Sequence, residues 1–326
     1  MSKNTFLIED LAKAEKAPTR DGYGKGLVEL GEKNKNVVVL CADLAESTRS
    51  HWFKEKFPER YIELGVAEQN MATIAAGLAN YGKISFISSY AVFSPGRNNE
   101  QIRTTISLNN LPVKICGAHA GISVGPDGAT HQALEDIALM RTQPRMTVIV
   151  PCDALEAQKA TVASVNCCEG PVYLRFGREK SPVFTTEKMS FEIGKAIVLK
   201  QGKDVTIIGC GMLLYNALIA AEELSKEGVD VEVINSHTVK PLDTETILNS
   251  VKKTKAVVTV EEHQIAGGLG SAVSETLSQS FPAPQEFIGV RDRFGESGEP
   301  DELIEAFGMG VKDIKAAVLR VVKRKP

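Results

Sequence analysis

The sequence predicts an α/β protein of two domains, each a mainly parallel sheet flanked by helices. Three observations carry that prediction. From about Asn36 to Phe176, apolar β-rich runs alternate with helix-like segments. Several of those runs are apolar on successive residues, as strands buried on both faces require. A polar, proline-containing interruption then separates this pattern from a second, shorter one of the same kind.

In the first region the strand-like runs are "VVVLCADL", "YIELGV", "ISFISSY", "VKICGAH", "MTVIVPC" and "PVYLRF". The pattern lapses between Gly177 and Gly194, which places the first domain at 1–184, a linker at 185–193 and the second domain at 194–326. There "DVTIIGCG", "VDVEVINS", "KAVVTVEEH" and "QEFIGV" read as strands, with a helix over "LLYNALIAAEELSKEG". Amphipathic "DELIEAFG" and "VKDIKAAVLRVVKRK" close the chain. No short-period repeat or low-complexity tract interrupts it.

The composition, 43% hydrophobic and 24% charged with a net charge of −3, is that of an ordinary globular protein. It offers no field for nucleic acid or a membrane surface. The longest apolar run, "VVVLCA", is far short of the roughly 20 residues a membrane span needs. "MSKNTFLIED" lacks the apolar core of a signal peptide. Six cysteines, at 41, 116, 152, 167, 168 and 210, form no C-x-x-C pair, and several sit in apolar runs. Buried free thiols in a reducing cytoplasm are the expectation.

The densest polar constellation is "GAHAGISVGPDGATHQALED", where His119, Asp127 and His131 follow a strand and a helix is expected near Thr130. Loops at the carboxyl ends of parallel strands are where ligands bind. The two histidines lack zinc-like spacing. A loop stapled by its own side chains is the bland alternative. Ser47 in "ADLAES", Arg175 in "YLRFGRE" and Arg20 in "APTRDGYG" fall at equivalent places. Together they suit a phosphorylated small molecule, because guanidinium groups match phosphate oxygens. "GCGMLLYNALIAA" and "AGGLGSAV" both lack the dinucleotide-binding glycine spacing, so tight strand-to-helix turns explain them better. In "YIELGVAEQNMATIAAGLAN" a single carboxylate, Glu68, stands in the first turn of a small-residue helix. The helix macrodipole alone would favour an acid there.

"ADLAES", "LGVAEQNM", "SVGPDGATHQ" and "DRFGESGEPDELIEAFGM", in this order, closely resemble the C-terminal half of transketolase. The resemblance spans essentially the whole chain and implies a pyrimidine-binding domain followed by a smaller transketolase C-terminal domain. It implies that Glu68 hydrogen-bonds a ring nitrogen of the aminopyrimidine of thiamine diphosphate, favouring the imino tautomer that deprotonates the thiazolium carbon. Phe93 resembles the aromatic that stacks on that ring, with Tyr90 nearby. Asp127 resembles the residue that reads the sugar hydroxyls, and His131 a histidine facing donor and acceptor. Arg20, Ser47, His119 and Arg175 match the clamp on the sugar phosphate. Two departures stand out: "SPGRNN" where the family usually has a further aromatic, and "GPDGATHQ" in place of the commoner "GEDGPTHQ".

A complete transketolase also has a domain marked by G-D-G and a later Asn, whose oxygen ligands hold Mg²⁺ and the diphosphate. The nearest strings here, "RDG" at Arg20 and "PDG" at Pro126, lack that Asn. The resemblance therefore implies one subunit of a two-chain transketolase, moving a two-carbon ketol unit between sugar phosphates. It would share thiamine diphosphate with an N-terminal subunit that ligates Mg²⁺, in an α2β2 assembly. The small residues around Ala75 to Ala79 are expected at a contact between copies of this chain. Alternatives are a 1-deoxyxylulose-5-phosphate synthase-like enzyme, a 2-oxo-acid dehydrogenase β subunit, or a non-catalytic binding module of the same fold.

Overall fold

The computed structural model describes residues 5–166 and 169–325; Cys167 and Cys168, and the first four residues of the opening segment, lie outside them. A short strand, β1 (Lys16–Pro18), precedes six strands that are parallel to one another. These are β2 (Val37–Cys41), β3 (Tyr61–Glu63), β4 (Ile84–Tyr90), β5 (Lys114–Ala118), β6 (Thr147–Ile149) and β7 (Val172–Arg175). Their order across the sheet is β6-β7-β5-β4-β2-β3. Every residue of β2, β5 and β7 is buried, which explains their unbroken apolar runs. β8 (Lys180–Pro182) returns antiparallel to β1, so a short ribbon occupies part of the polar interruption.

The second region contributes β9 (Ile197–Lys200), β10 (Val205–Gly209), β11 (Val231–Asn235), β12 (Thr238–Lys240), β13 (Val257–Gln264) and β14 (Gln285–Val290). Five of these form a sheet of order β14-β13-β10-β11-β9, parallel except for the edge strand β9. β12 leaves that sheet and adds antiparallel to β6, extending the first sheet across the division between the two regions. One apolar core accordingly runs from Val148, Val150 and Met71 through Ile208, Ile234 and Val239.

On the other face of the first sheet, Tyr23, Leu27, Phe86, Leu174 and Phe176 pack beneath the helices Thr19–Lys33 and Ala154–Asn166. Those helices approach closely at Gly26, where an added Cβ would stand 2.7 Å from the Thr161 Cβ. The contact fixes the helix whose first turn carries Arg20.

Two expectations change, and that of buried free thiols is met among the described residues. The helix expected near Thr130 begins at Asp136. Ala75, Ala76 and Ala79 face this chain's own core, so they are not free to meet a second copy; Gln69, Asn70, Thr73, Gly77 and Asn80 are the exposed residues of that helix. Cys41, Cys116, Cys152 and Cys210 are free and buried, and burial raises each thiol's pKa. No helix among the described residues is long and apolar enough to cross a membrane.

Candidate active site

Most of the candidate residues collect at the carboxyl ends of β2, β3, β4 and β5, where neighbouring parallel strands deliver their loops to one edge. β3 ends at Glu63, and Gly65, at φ 65°, turns the chain into the helix Glu68–Asn80. Glu68 is the first residue of that helix and its side chain is buried. Its Oε2 accepts a hydrogen bond from Arg97 Nη1 at 2.8 Å, and its backbone carbonyl accepts one from Asn98 Nδ2 at 3.1 Å. The Arg97 guanidinium also lies over the Phe93 ring, 4.6 Å from its centroid.

Tyr90 is the last residue of β4, and its ring stacks on that of Phe93 with centroids 5.9 Å apart. On its other neighbour, His119, the centroid separation is 3.9 Å. His131 meets both aromatic rings edge-on, 5.5 Å from Phe93 and 6.1 Å from Tyr90. His119 follows β5 with φ 53°, a conformation that costs a non-glycine residue free energy and persists only where its surroundings hold it.

Arg20 completes the row. Its Nη1 donates to the Ser47 carbonyl at 2.8 Å and to His119 Nε2 at 3.4 Å. Burial first, then the positive charges of Arg20, Arg178 and Arg49, together hold the His119 pKa down at about 3. The ring is therefore neutral across the physiological range. A guanidinium only donates, so Nε2 is the acceptor and the ring proton sits on Nδ1. That buried Nδ1 has no partner, and neither has the buried Nε of Arg20. Unmet buried donors are costly and mark where an acceptor on a ligand gains most.

Asp127 and Arg175 are not drawn into this cluster. Asp127 is exposed at the rim of the loop that carries His131. Arg175 lies beneath the site, where its Nε donates to Asp136 Oδ2 at 2.7 Å and its Nη2 to the Glu262 carbonyl at 2.8 Å. Burial opposes its charge, but the Asp136 carboxylate outweighs that and raises its pKa; Tyr173 also donates to the same carboxylate, at 2.6 Å. A guanidinium so committed is not available to a ligand, which corrects its expected place in a phosphate clamp. Arg178, three residues on, is part-exposed, donates to the Val124 carbonyl at 2.7 Å and acts electrostatically on both Arg20 and His119. Sequence reading passed over it although "RFGR" presents both arginines. Arg97 was passed over too, since only the fold brings it to Glu68.

Among the described residues, no three His, Cys, Asp or Glu side chains cluster as a metal-ligand set. A separate groove of about 940 Å³ lies against Leu7, Leu11, Leu199 and Leu218 and contains none of the candidate residues.

Comparison with known proteins identifies both domains. Residues 15–183 match the transketolase pyrimidine-binding domain, and residues 194–314 match the transketolase C-terminal domain. A protein of Methanocaldococcus jannaschii described as a transketolase C-terminal section is 45% identical, over 94% of this chain and 96% of its own. A subunit of the 6-deoxy-6-sulfo-D-fructose transketolase of a Clostridium species is 42% identical, over 96% and 97%. A solved structure described as a split-gene transketolase, inactive beta4 tetramer, superimposes with a TM-score of 0.89 at 46% identity, covering 95% of this chain and 99% of that one. These matches support a transferase subunit of a family whose membership implies dependence on thiamine diphosphate. The chain belongs to the transketolase family and carries its pyrimidine-binding and C-terminal domains.

Proposed function

We propose that this chain is the C-terminal subunit of a two-chain transketolase, transferring a ketol unit between a ketose and an aldose that each carry an oxyanion. The observation that carries this reading is the row Glu68, Phe93, Tyr90, His119 and Arg20: a buried carboxylate and aromatic faces at one end, unmet donors at the other.

The carboxylate and the face of Phe93 suit a planar heterocycle with N–H groups, since the half-exposed guanidinium of Arg97 already satisfies both in that manner. Glu68, Phe93 and Tyr90 would hold the pyrimidine end of thiamine diphosphate. When bound, the cofactor supplies the electron sink needed to break and make a carbon–carbon bond beside a carbonyl. Glu68 would hydrogen-bond a ring nitrogen of that group. His119 donates from Nδ1 and His131 offers a second ring edge to the sugar oxygens, with Asp127 reaching the sugar hydroxyls from the rim. Arg20 and Arg178 face the oxyanion, with the Ser47 carbonyl orienting Arg20.

An N-terminal subunit would supply the diphosphate site and its Mg²⁺ in an α2β2 cytoplasmic enzyme. The beta4 tetramer of the similar split-gene protein supports self-association of this chain. The sulfosugar enzyme among its relatives supports a site read by oxyanion chemistry, in which sulfonate and phosphate are both candidates.

The test is transfer by the reconstituted complex. Xylulose 5-phosphate with ribose 5-phosphate should be consumed and pyruvate should not. Turnover of pyruvate alone would assign the chain to a synthase or dehydrogenase instead.

A further inference from the structure

The loop of residues 121–132, which carries Asp127 and His131, is held from both domains: Arg178 of the first donates to its Val124 carbonyl at 2.7 Å, and the second holds it at three places. Its first turn is fixed from β13: the backbone N–H of Ser123 donates to Glu262 Oε1 at 2.6 Å, and both groups are buried. Its middle rests on the segment that ends the "DRFGESGEP" run, where Gly125, at φ 78°, lies so that a Cβ would stand 3.1 Å from Pro300 Cγ. At its end the buried side chain of Gln132 joins three carbonyl groups. Its Nε2 donates to Ile122 at 3.0 Å, to Gly125 at 3.4 Å and to Glu296 of the second domain at 3.0 Å. On the first-domain side, Gly121 N donates to the Ala133 carbonyl at 2.9 Å, closing the loop's neck.

We propose that the C-terminal domain seats this loop, and that Gln132 is the positioning residue that sets where His131 and Asp127 stand relative to Glu68 and Phe93. The inference rests on reading His131 and Asp127 as sugar-facing. Three acceptors converge on one amide nitrogen, so only a donor fits there. Glutamine supplies two N–H groups from a side chain that is nearly the shape of glutamate, which has none when ionised. The amide oxygen points the other way, at Gly295, where any Cβ would overlap it. The second domain, which brings none of the candidate residues itself, thereby acts on the reaction through the loop it carries.

Gln132→Glu tests this with almost no change in volume. A carboxylate facing three carbonyl oxygens should release the loop from Glu296. In the reconstituted enzyme the Michaelis constant for the ketose should rise about tenfold, the loss of a buried hydrogen-bond donor being typically of that size. Turnover should fall less, and thiamine diphosphate affinity should stay within about twofold, because Glu68 and Phe93 lie on other elements. In the chain itself, amide exchange should quicken across residues 121–131 and not in the helix Glu68–Asn80. Gln132→Ala should show the same pattern more weakly, having no charge to repel the carbonyls. An unchanged Michaelis constant together with unchanged loop exchange would overturn the proposal, as would faster exchange throughout the chain. Should the wild-type complex transfer no ketol unit, the functional reading fails, while the exchange comparison still decides the seating.

Discussion

At the ends of β2 to β5, the unmet donors of His119 and Arg20 stand beside aromatic rings; at the ends of β10, β11 and β13, the carboxylate and amide N–H groups are bonded within the protein, although the buried Asn235 Oδ1 and His237 Nε2 have no partner. Glu261 on β13 accepts hydrogen bonds from the backbone N–H groups of Leu269 and Gly270, both at 2.8 Å. It thereby fills the anion-favouring start of the helix Leu269–Ser280 with the protein's own carboxylate. Asn235, at the end of β11, donates to Glu156 at 2.7 Å. Gly209, ending β10, leaves its Cβ position 2.8 Å from Leu214 Cδ1, so that glycine serves close packing and not a dinucleotide. In the first sheet, by contrast, His119 Nδ1 and Arg20 Nε are buried and unpartnered beside the open rings of Tyr90 and Phe93. The two sheets share an architecture, and the proposed chemistry gathers where unmet donors stand beside open aromatic rings.

The largest expected effect is at Glu68. Glu68→Gln should cut turnover of the assembled enzyme by about 10² to 10⁴-fold, the usual scale of an acid–base contribution, with the melting temperature nearly kept. Near-normal rates would remove the carboxylate from the mechanism and weaken the contrast between the two sheets.

Next come the two arginines of "RFGR". Arg175→Ala strands the buried Asp136 carboxylate and should cost about 3–5 kcal/mol of stability in denaturant titrations. Arg178→Ala should leave stability almost unchanged. It should instead raise the Michaelis constant of phosphorylated sugars by the equivalent of about 1.5–3 kcal/mol and spare unphosphorylated ones. Arg20→Ala should follow Arg178→Ala. If Arg175→Ala alone gave the sugar-specific loss, the assignment of the two would be reversed.

The smallest effect is expected at Arg97. Its half-exposed guanidinium occupies both Glu68 and the face of Phe93, so a bound ring must displace it. Arg97→Ala should tighten thiamine diphosphate binding by a few-fold, since an ion pair of this exposure is worth up to about 1 kcal/mol. Calorimetry on the assembled enzyme reads the change, and weaker binding would mean that Arg97 helps hold the cofactor.

Much of this was legible in the chain. The runs that became β4 and β14 were bounded to the residue, because unbroken apolar stretches flanked by polar turns leave little freedom. β9, β12 and the β1–β8 ribbon were not read, since strands of three or four residues carry too little pattern to separate from loop. At the site, glycine-rich loops after strands pointed to His119 and His131. Arg175 was misplaced because an arginine ending a strand resembles one just beyond it, yet only Arg178 clears the sheet. Gln132 and Glu262 were invisible, their partners lying 164 and 139 residues away. The stretch "SPGRNN" was noticed as a departure from the family's aromatic, but its Arg97 was not read as the partner of Glu68.

The central claim is that this chain holds one half of an active centre. The most direct test is titration of thiamine diphosphate onto the purified chain with Mg²⁺, alone and then with the subunit that carries the diphosphate domain. Weak binding alone, tight binding with the partner, and loss of that binding on chelation of Mg²⁺ are the predicted results. Tight, Mg²⁺-dependent binding by the chain alone would contradict the account.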